Sequence, residues 1–184
     1  ERDPRKRRFD GELDMGRTVL EMLLKVYKKI VFKVGNHEAR YESYLRIKAP
    51  ELIGVPEFEL RKLLNLDESG IQFVKSNQIM RLGDVNVIHG HELPHGIAAP
   101  VNPARGLFLR AKASTICGHH HQTSQHSESD IRRKTTSCWS VGCLSELLPE
   151  YAPVNKYNHG FANVEIEGRD YHVENLRIVN GKAM

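Results

Sequence analysis

The chain has 184 residues and a mass of 21.0 kDa, with 40% hydrophobic and 27% charged residues, enough apolar material for one sizeable core. No run approaches the ~18 apolar residues of a membrane span, and no N-terminal segment has the layout of a signal peptide. The odd count of three cysteines argues against a secreted disulfide framework, so a soluble cytoplasmic protein is expected, with no membrane partner and one domain over residues 1–184.

In chain order, Glu12 to Lys29 comes first. It places Leu13, Val19, Leu20, Leu23, Leu24 and Tyr27 along one helical stripe, which predicts an amphipathic helix packing on a sheet. The β-branched and aromatic run Ile30 to Val34, closed by Gly35, predicts a strand ending in a sharp turn. Helical patterns resume over Ala39 to Ile47 and Glu57 to Leu64, separated by Pro50 and by Gly54-Val-Pro56. Strands are expected at Ile71 to Val74, Gln78 to Leu82 and Val85 to His89, with Leu82-Gly-Asp-Val85 as a hairpin turn. A helix over Pro103 to Ala113 then leads to a strand over Ser114 to Cys117. The segment from Gln122 to Val179 alternates polar and apolar residues around turns such as Glu167-Gly-Arg169, the pattern of antiparallel sheet.

The chemistry gathers in three places of one layout, a predicted strand followed by a polar loop: Gly35-Asn-His-Glu38, His89-Gly-His91 and Gly118-His-His-His121. Ligands of α/β sheets bind outside the carboxyl ends of strands, so these loops could share a crevice. Seven of the ten histidines lie between His89 and His126. Imidazoles with an Asn carbonyl favour a hydrolytic metal site over a structural thiolate site, and a glycine beside each candidate ligand gives the backbone room to turn.

The order Gly-Asn-His-Glu, a strand ending in His, then Gly-His-x-His resembles the last three motifs of the calcineurin-like metallophosphoesterases. Over Tyr151 to Glu165 the chain also resembles phage-type members of that family. The resemblance implies an α/β/β/α sandwich and metal-dependent phosphoester hydrolysis with two divalent metal ions, manganese first and iron, zinc, nickel or magnesium as alternatives. It implies that Asn36, His89 and His119 bind one metal and His121 the other. His37 becomes the catalytic histidine that contacts the scissile phosphate, and a metal-activated water the nucleophile. Arg40 either helps to hold phosphate or forms a surface ion pair. His91 either binds substrate or is a polar loop residue.

The family's opening motifs, Asp-x-His and Gly-Asp, are not in this chain, whose early acids are Asp3, Asp10, Glu12 and Asp14. The expectation is that Glu1 is not the biological start and that an upstream segment supplies the missing strands and carboxylate ligands. The substrate is expected to be a nucleic acid or nucleotide phosphodiester, with protein and metabolite phosphatases left open. A non-catalytic metal- or phosphate-binding module with a degenerate site is the rival reading.

Several residues carry plainer expectations. Extended-strand alternation would turn His120 away from its neighbours. His95, His126, His159 and His172 read as surface or hydrogen-bonded histidines. Cys117, Cys138 and Cys143 read as strand and sheet residues, with a structural zinc site as the alternative. Trp139 reads as packing or as a base-stacking surface. The basic runs Arg5-Lys-Arg-Arg8 and Arg132-Arg-Lys134 read as solvated faces or as phosphate-tracking patches.

Overall fold

The structure, a computed structural model, describes residues 9–93 and 101–184. The basic run at residues 5–8, Asp3 and His95 lie outside the described residues. The chain divides into two compact units, Glu1–Lys75 and Ser76–Met184.

The first unit carries helix α1 (Phe9–Leu24), strand β1 (Val31–Lys33), helix α2 (Asn36–Lys48), the short helix α3 (Leu60–Leu63) and strand β2 (Gln72–Val74), which pairs parallel to β1. Leu60, Leu64, Leu66 and Ile71 are buried at its centre, with Leu13, Leu20 and Leu24 of α1 packed against them. Only these three of the expected stripe face inward, at spacings of seven and four that hold one side of a helix. Val19, Leu23 and Tyr27 are exposed. The helix stops at Leu24 rather than Lys29, because the chain must be extended by Ile30, whose carbonyl accepts the Gln72 N–H at 3.1 Å.

Two further boundaries depart from expectation. Helix α2 begins at Asn36, not Ala39, so Gly-Asn-His-Glu forms the first helical turn and not a loop. The Glu38 carboxylate makes this possible by accepting the Gly35 N–H at 2.8 Å. The expected helix from Glu57 to Leu64 is broken into a 3-10 turn at Pro56–Phe58 and α3, since Glu59 between them is extended (φ −72°, ψ 134°) and its carbonyl accepts the first bonds of α3.

The second unit is built on a five-stranded mixed sheet. Strands β3 (Met80–Leu82), β4 (Val85–Ile88), β5 (Thr115–Cys117), β6 (Ser124–Ser129) and β7 (Thr135–Ser140) lie in the order β3-β4-β5-β7-β6. The inner three are mutually parallel and each edge strand is antiparallel to its neighbour. Alternation along the inner strands gives the sheet two apolar faces. Ile88, Cys117 and Cys138 point to helix α4 (Pro103–Ala111) and pack with its Ala104 and Leu107. Val85, Ile116 and Trp139 point the other way, against Val164, Tyr171 and Val173. These last residues belong to a second sheet, antiparallel β8 (Gly160–Glu167), β9 (Asp170–Val179) and β10 (Lys182–Ala183). The unit is therefore a helix, a mixed sheet and an antiparallel sheet in layers, the expected α/β class.

The predicted hairpin at Leu82-Gly-Asp-Val85 and the predicted turn at Glu167-Gly-Arg169 are both present, with Gly83 (φ 57°) and Gly168 (φ 63°) in the left-handed region that two-residue hairpins demand. Helix α4 starts at Pro103, capped by Asn102 Oδ1 accepting the Arg105 N–H. It ends two residues early because Lys112 turns left-handed (φ 56°) and bonds back to the Phe108 carbonyl. The expectation of antiparallel pairing after Gln122 is corrected at β7, whose second edge pairs parallel with β5. Trp139 is 4% exposed and meets the Tyr171 ring at 6.1 Å; it is core, not a base-stacking surface.

Candidate functional site

Strands β4 and β5 are parallel neighbours with Ile88 opposite Cys117, so the residues after each emerge side by side at the carboxyl edge of the sheet. His89 and His119 stand there, with His89 Nε2 and His119 Nδ1 3.2 Å apart. Their ring centroids are 5.1 Å apart, and the His91 ring lies 5.1 Å from His89 and 6.3 Å from His119. His91 Nε2 is hydrogen-bonded to the Ser76 hydroxyl at 2.9 Å.

The turn after β4 needs Gly90. Its φ is +124°, and a Cβ there would stand 3.0 Å from the His119 Cβ. The other two glycines beside candidate ligands are not used in this way. Gly35 has an ordinary φ of −99°, and a Cβ on Gly118 would meet nothing nearer than 3.7 Å. The Glu92 carboxylate closes the turn, accepting the His89 N–H at 2.9 Å and the Gly90 N–H at 2.6 Å, and stands 3.7 Å from His91 Nδ1. Glu92 and Ser76 are site residues that sequence reasoning missed. The signal for Glu92 is an acid two and three residues beyond backbone N–H groups that a tight turn leaves without strand partners.

After β5 the chain is not extended. His119 (φ 61°) and His121 (φ 55°) are both left-handed, which overturns the alternation argument for His120. Its ring packs edge-on against His119 at 5.2 Å, and its buried Nε2 has no hydrogen-bond partner among the described residues. His121 instead meets the Tyr157 ring at 4.6 Å. Burial, with smaller contributions from His120, His91 and His121, lowers the pKa of His119 to about 4 against the opposing pull of Glu92. His120 is also lowered, by burial and then by His121. At neutral pH both rings are uncharged and keep a lone pair.

This bears on the fit of a metal. Two nitrogens bound at 2.0–2.1 Å to one tetrahedral ion would be about 3.3 Å apart, close to the His89–His119 separation, which equally suits an N–H···N hydrogen bond. Among the described residues no group of three or more His, Cys, Asp or Glu is arranged to hold a metal ion. His89 and His119 fit a shared ion; the described residues do not themselves complete its shell. The structural-zinc alternative fares worse. Cys117 and Cys138 sit in the apolar core, where burial pushes their thiols up to about 12 and about 11, away from the thiolate that zinc requires.

No family model and no curated protein matches the chain. Among solved structures it is similar to crystal structures of a single and a double mutant of Vps29 from Entamoeba histolytica, at 14% identity, over 72% of this chain and 74% of that chain, with TM-scores of 0.39 and 0.38.

Behind His121 the loop from Gly142 to Gly160 is locked by Asn158, which is 7% exposed. Its N–H donates to the His121 carbonyl and its own carbonyl accepts the Cys143 N–H, each at 2.9 Å. Its side chain accepts the Thr123 N–H at 2.8 Å and donates to the Thr123 hydroxyl at 2.7 Å and the His159 carbonyl at 3.0 Å. A Cβ on Gly142 would come within 2.6 Å of the Asn158 carbonyl oxygen, and one on Gly160 within 2.5 Å of the Leu176 carbonyl oxygen of β9.

The remaining candidates fall elsewhere. In the first unit Asn36 is half-buried, and His37 and Arg40 are exposed on α2. His126 Nε2 meets Glu128 Oε1 at 2.8 Å, His159 Nε2 meets the Ser145 carbonyl at 2.9 Å, and His172 is exposed on β9. Arg132, Arg133 and Lys134 are exposed at the tip of the β6–β7 hairpin. No helix among the described residues is long and apolar enough to cross a membrane.

Proposed function

We propose that the chain is a metal-dependent phosphoester hydrolase whose substrates are nucleic acid or nucleotide phosphodiesters. The observation that carries the reading is the 3.2 Å approach of His89 Nε2 to His119 Nδ1 at the carboxyl ends of adjacent parallel strands. Under this reading His89 and His119 belong to one ligand set and His121 to a second, for two divalent ions with manganese first. Such ions, when bound, neutralise phosphoryl oxygens and lower the pKa of water.

The chain's own residues do the rest. Neutral His119 offers a lone pair at physiological pH. Glu92 fixes the backbone from which His89 projects, and Ser76 holds His91 ready to hydrogen-bond a phosphoryl oxygen. His37 contacts the phosphate and gives a proton to the leaving oxygen.

The test is manganese-dependent hydrolysis of a chromogenic phosphodiester and monoester by the protein and by its His89→Ala, His119→Ala and His37→Ala variants. Turnover at least about a hundredfold lower in each is expected. Turnover in the variants equal to that of the unsubstituted protein, or none with any of the five metals, sinks the proposal. A second reading, a binding module without turnover, is favoured by the lack of a three-residue ligand group among the described residues. Manganese binding by equilibrium dialysis without hydrolysis would select it.

A further inference from the structure

The first unit holds a half-open cavity of about 440 Å³ that the histidines do not explain. Its volume lies in the range of small-molecule sites. Leu45 of α2, with Leu52 and Val55 from the connection to α3, makes an apolar lining. Three aromatic rings join it on different terms, that of Tyr41 being stacked on Phe9 with centroids 5.2 Å apart. Phe73 is already stacked on Phe32, at 6.2 Å and 7° between planes, and has the Arg61 guanidinium 5.8 Å from its centroid. Phe58 is 38% exposed and has no ring partner among the described residues, so it offers a stacking surface.

The walls are tied together. The Tyr41 hydroxyl donates to the Phe58 carbonyl at 2.8 Å, which fixes the Phe58 segment against α2. The rim carries both signs, Arg46 with Glu42 and Glu59, and Arg61, whose guanidinium is held by the Asp67 carboxylate, so donors and acceptors surround an apolar floor. That mixture suits neither a plain hydrocarbon nor a bare anion. It suits a flat heteroaromatic ring that presents donors and acceptors at its edge while its faces stack.

The position adds the second half of the argument. His37 and Tyr41 are four residues apart on α2, hence on one face and about 6 Å apart along the axis. A ligand whose ring occupied the cavity would carry a substituent towards the first turn of the helix, where His37 is exposed.

We infer that this cavity is the base-binding subsite of a nucleotide substrate, with the heteroaromatic ring against Phe58 and the phosphate end directed to His37. The inference rests on the proposed hydrolase reading for the phosphate end, but not for the binding of the base.

The experiment separates the two. The full chain is titrated with the fluorescent nucleoside 2-aminopurine riboside, which has no phosphate, in the presence of chelator. Saturable binding is expected, weakened about tenfold in Phe58→Ala by the loss of a stacked face, and unchanged in His89→Ala. Ile53→Glu, at a cavity-lining residue 54% exposed, is a second variant whose folding is not at stake and should weaken binding similarly. In turnover, Phe58→Ala should raise KM for a nucleotide ester about tenfold with kcat unchanged, and leave KM for a methyl phosphate ester alone. Absence of saturable nucleoside binding, or an affinity in the Phe58→Ala and Ile53→Glu variants equal to that of the unsubstituted protein, overturns the subsite. Nucleoside binding by a chain that hydrolyses nothing upholds the subsite and removes only the proposed reaction.

Discussion

Gly90 and Gly118 flank the same pair of imidazoles, yet the backbone treats them differently. Gly90→Ala would hold a side chain at a φ of +124° and press its Cβ to 3.0 Å from that of His119. A loss of about 1–3 kcal/mol is expected, read as a lower melting temperature together with weakened manganese binding. Gly118→Ala meets nothing closer than 3.7 Å and should stay within about 0.5 kcal/mol of the parent. Equal losses in the two would refute the role given to Gly90. Glu92 makes a second case. Glu92→Ala removes the acceptor of two backbone N–H groups, and a cost of about 2 kcal/mol is expected in urea unfolding. Glu92→Gln, which keeps one acceptor oxygen, should recover about half. At this scale His89 and His119 were legible because each follows an apolar strand run in a recurring motif. Glu92 was not, since a carboxylate that serves backbone N–H groups has no periodicity. His120 was misread because two left-handed residues replaced the extended chain that alternation assumes.

At the scale of elements, the turns at Gly83 and Gly168 and the inner strands β4 and β5 could be read from the chain, because Gly-Asp and Gly-Arg turns and β-branched runs are local signals, whereas the parallel pairing of β7 could not. Helix ends were harder. The start of α2 depends on one hydrogen bond that the Glu38 carboxylate accepts from the Gly35 N–H, and the break at Glu59 depends on a carbonyl shared by two donors. The long connection from β7 to β8 carries no regular signal at all, and its order comes from Asn158, whose six hydrogen bonds reach Thr123, His121, Cys143 and His159. Asn158→Ala should cost about 2–3 kcal/mol and should raise hydrogen exchange selectively at Thr123, Cys143 and the amide of residue 158. Asn158→Asp, which keeps the acceptor and loses the donors, should fall between. Uniform exchange across the unit in Asn158→Ala would show that the residue is only one contact among many.

For the molecule as a whole, the thiols give a count of what folding hides. Cys117 and Cys138 are fully buried and Cys143 is half-buried. One thiol of three should therefore react promptly with a disulfide reagent at pH 8 and all three after unfolding; three prompt thiols would contradict the core. The same burial sets an alkaline limit. Burial holds the folded thiols protonated to about 11 and about 12, whereas an ordinary thiol titrates near 9.0. Above pH 9 the unfolded chain loses protons that the folded chain keeps, so stability present below pH 9 declines as pH rises towards 11. Urea midpoints at pH 8 and 10.5 should differ, and by less in Cys138→Ala. The strand order has a consequence of another kind, in time rather than in space. β5 lies between β4, which precedes it, and β7, which is reached only after β6 has been made. During synthesis the outer face of β5 stays unpaired until residue 140 is available, although the β3–β4 and β6–β7 hairpins can each close locally. Pulse-labelled hydrogen exchange during refolding should protect the two hairpins before the amides shared by β5 and β7; simultaneous protection would mean that the sheet closes in one step.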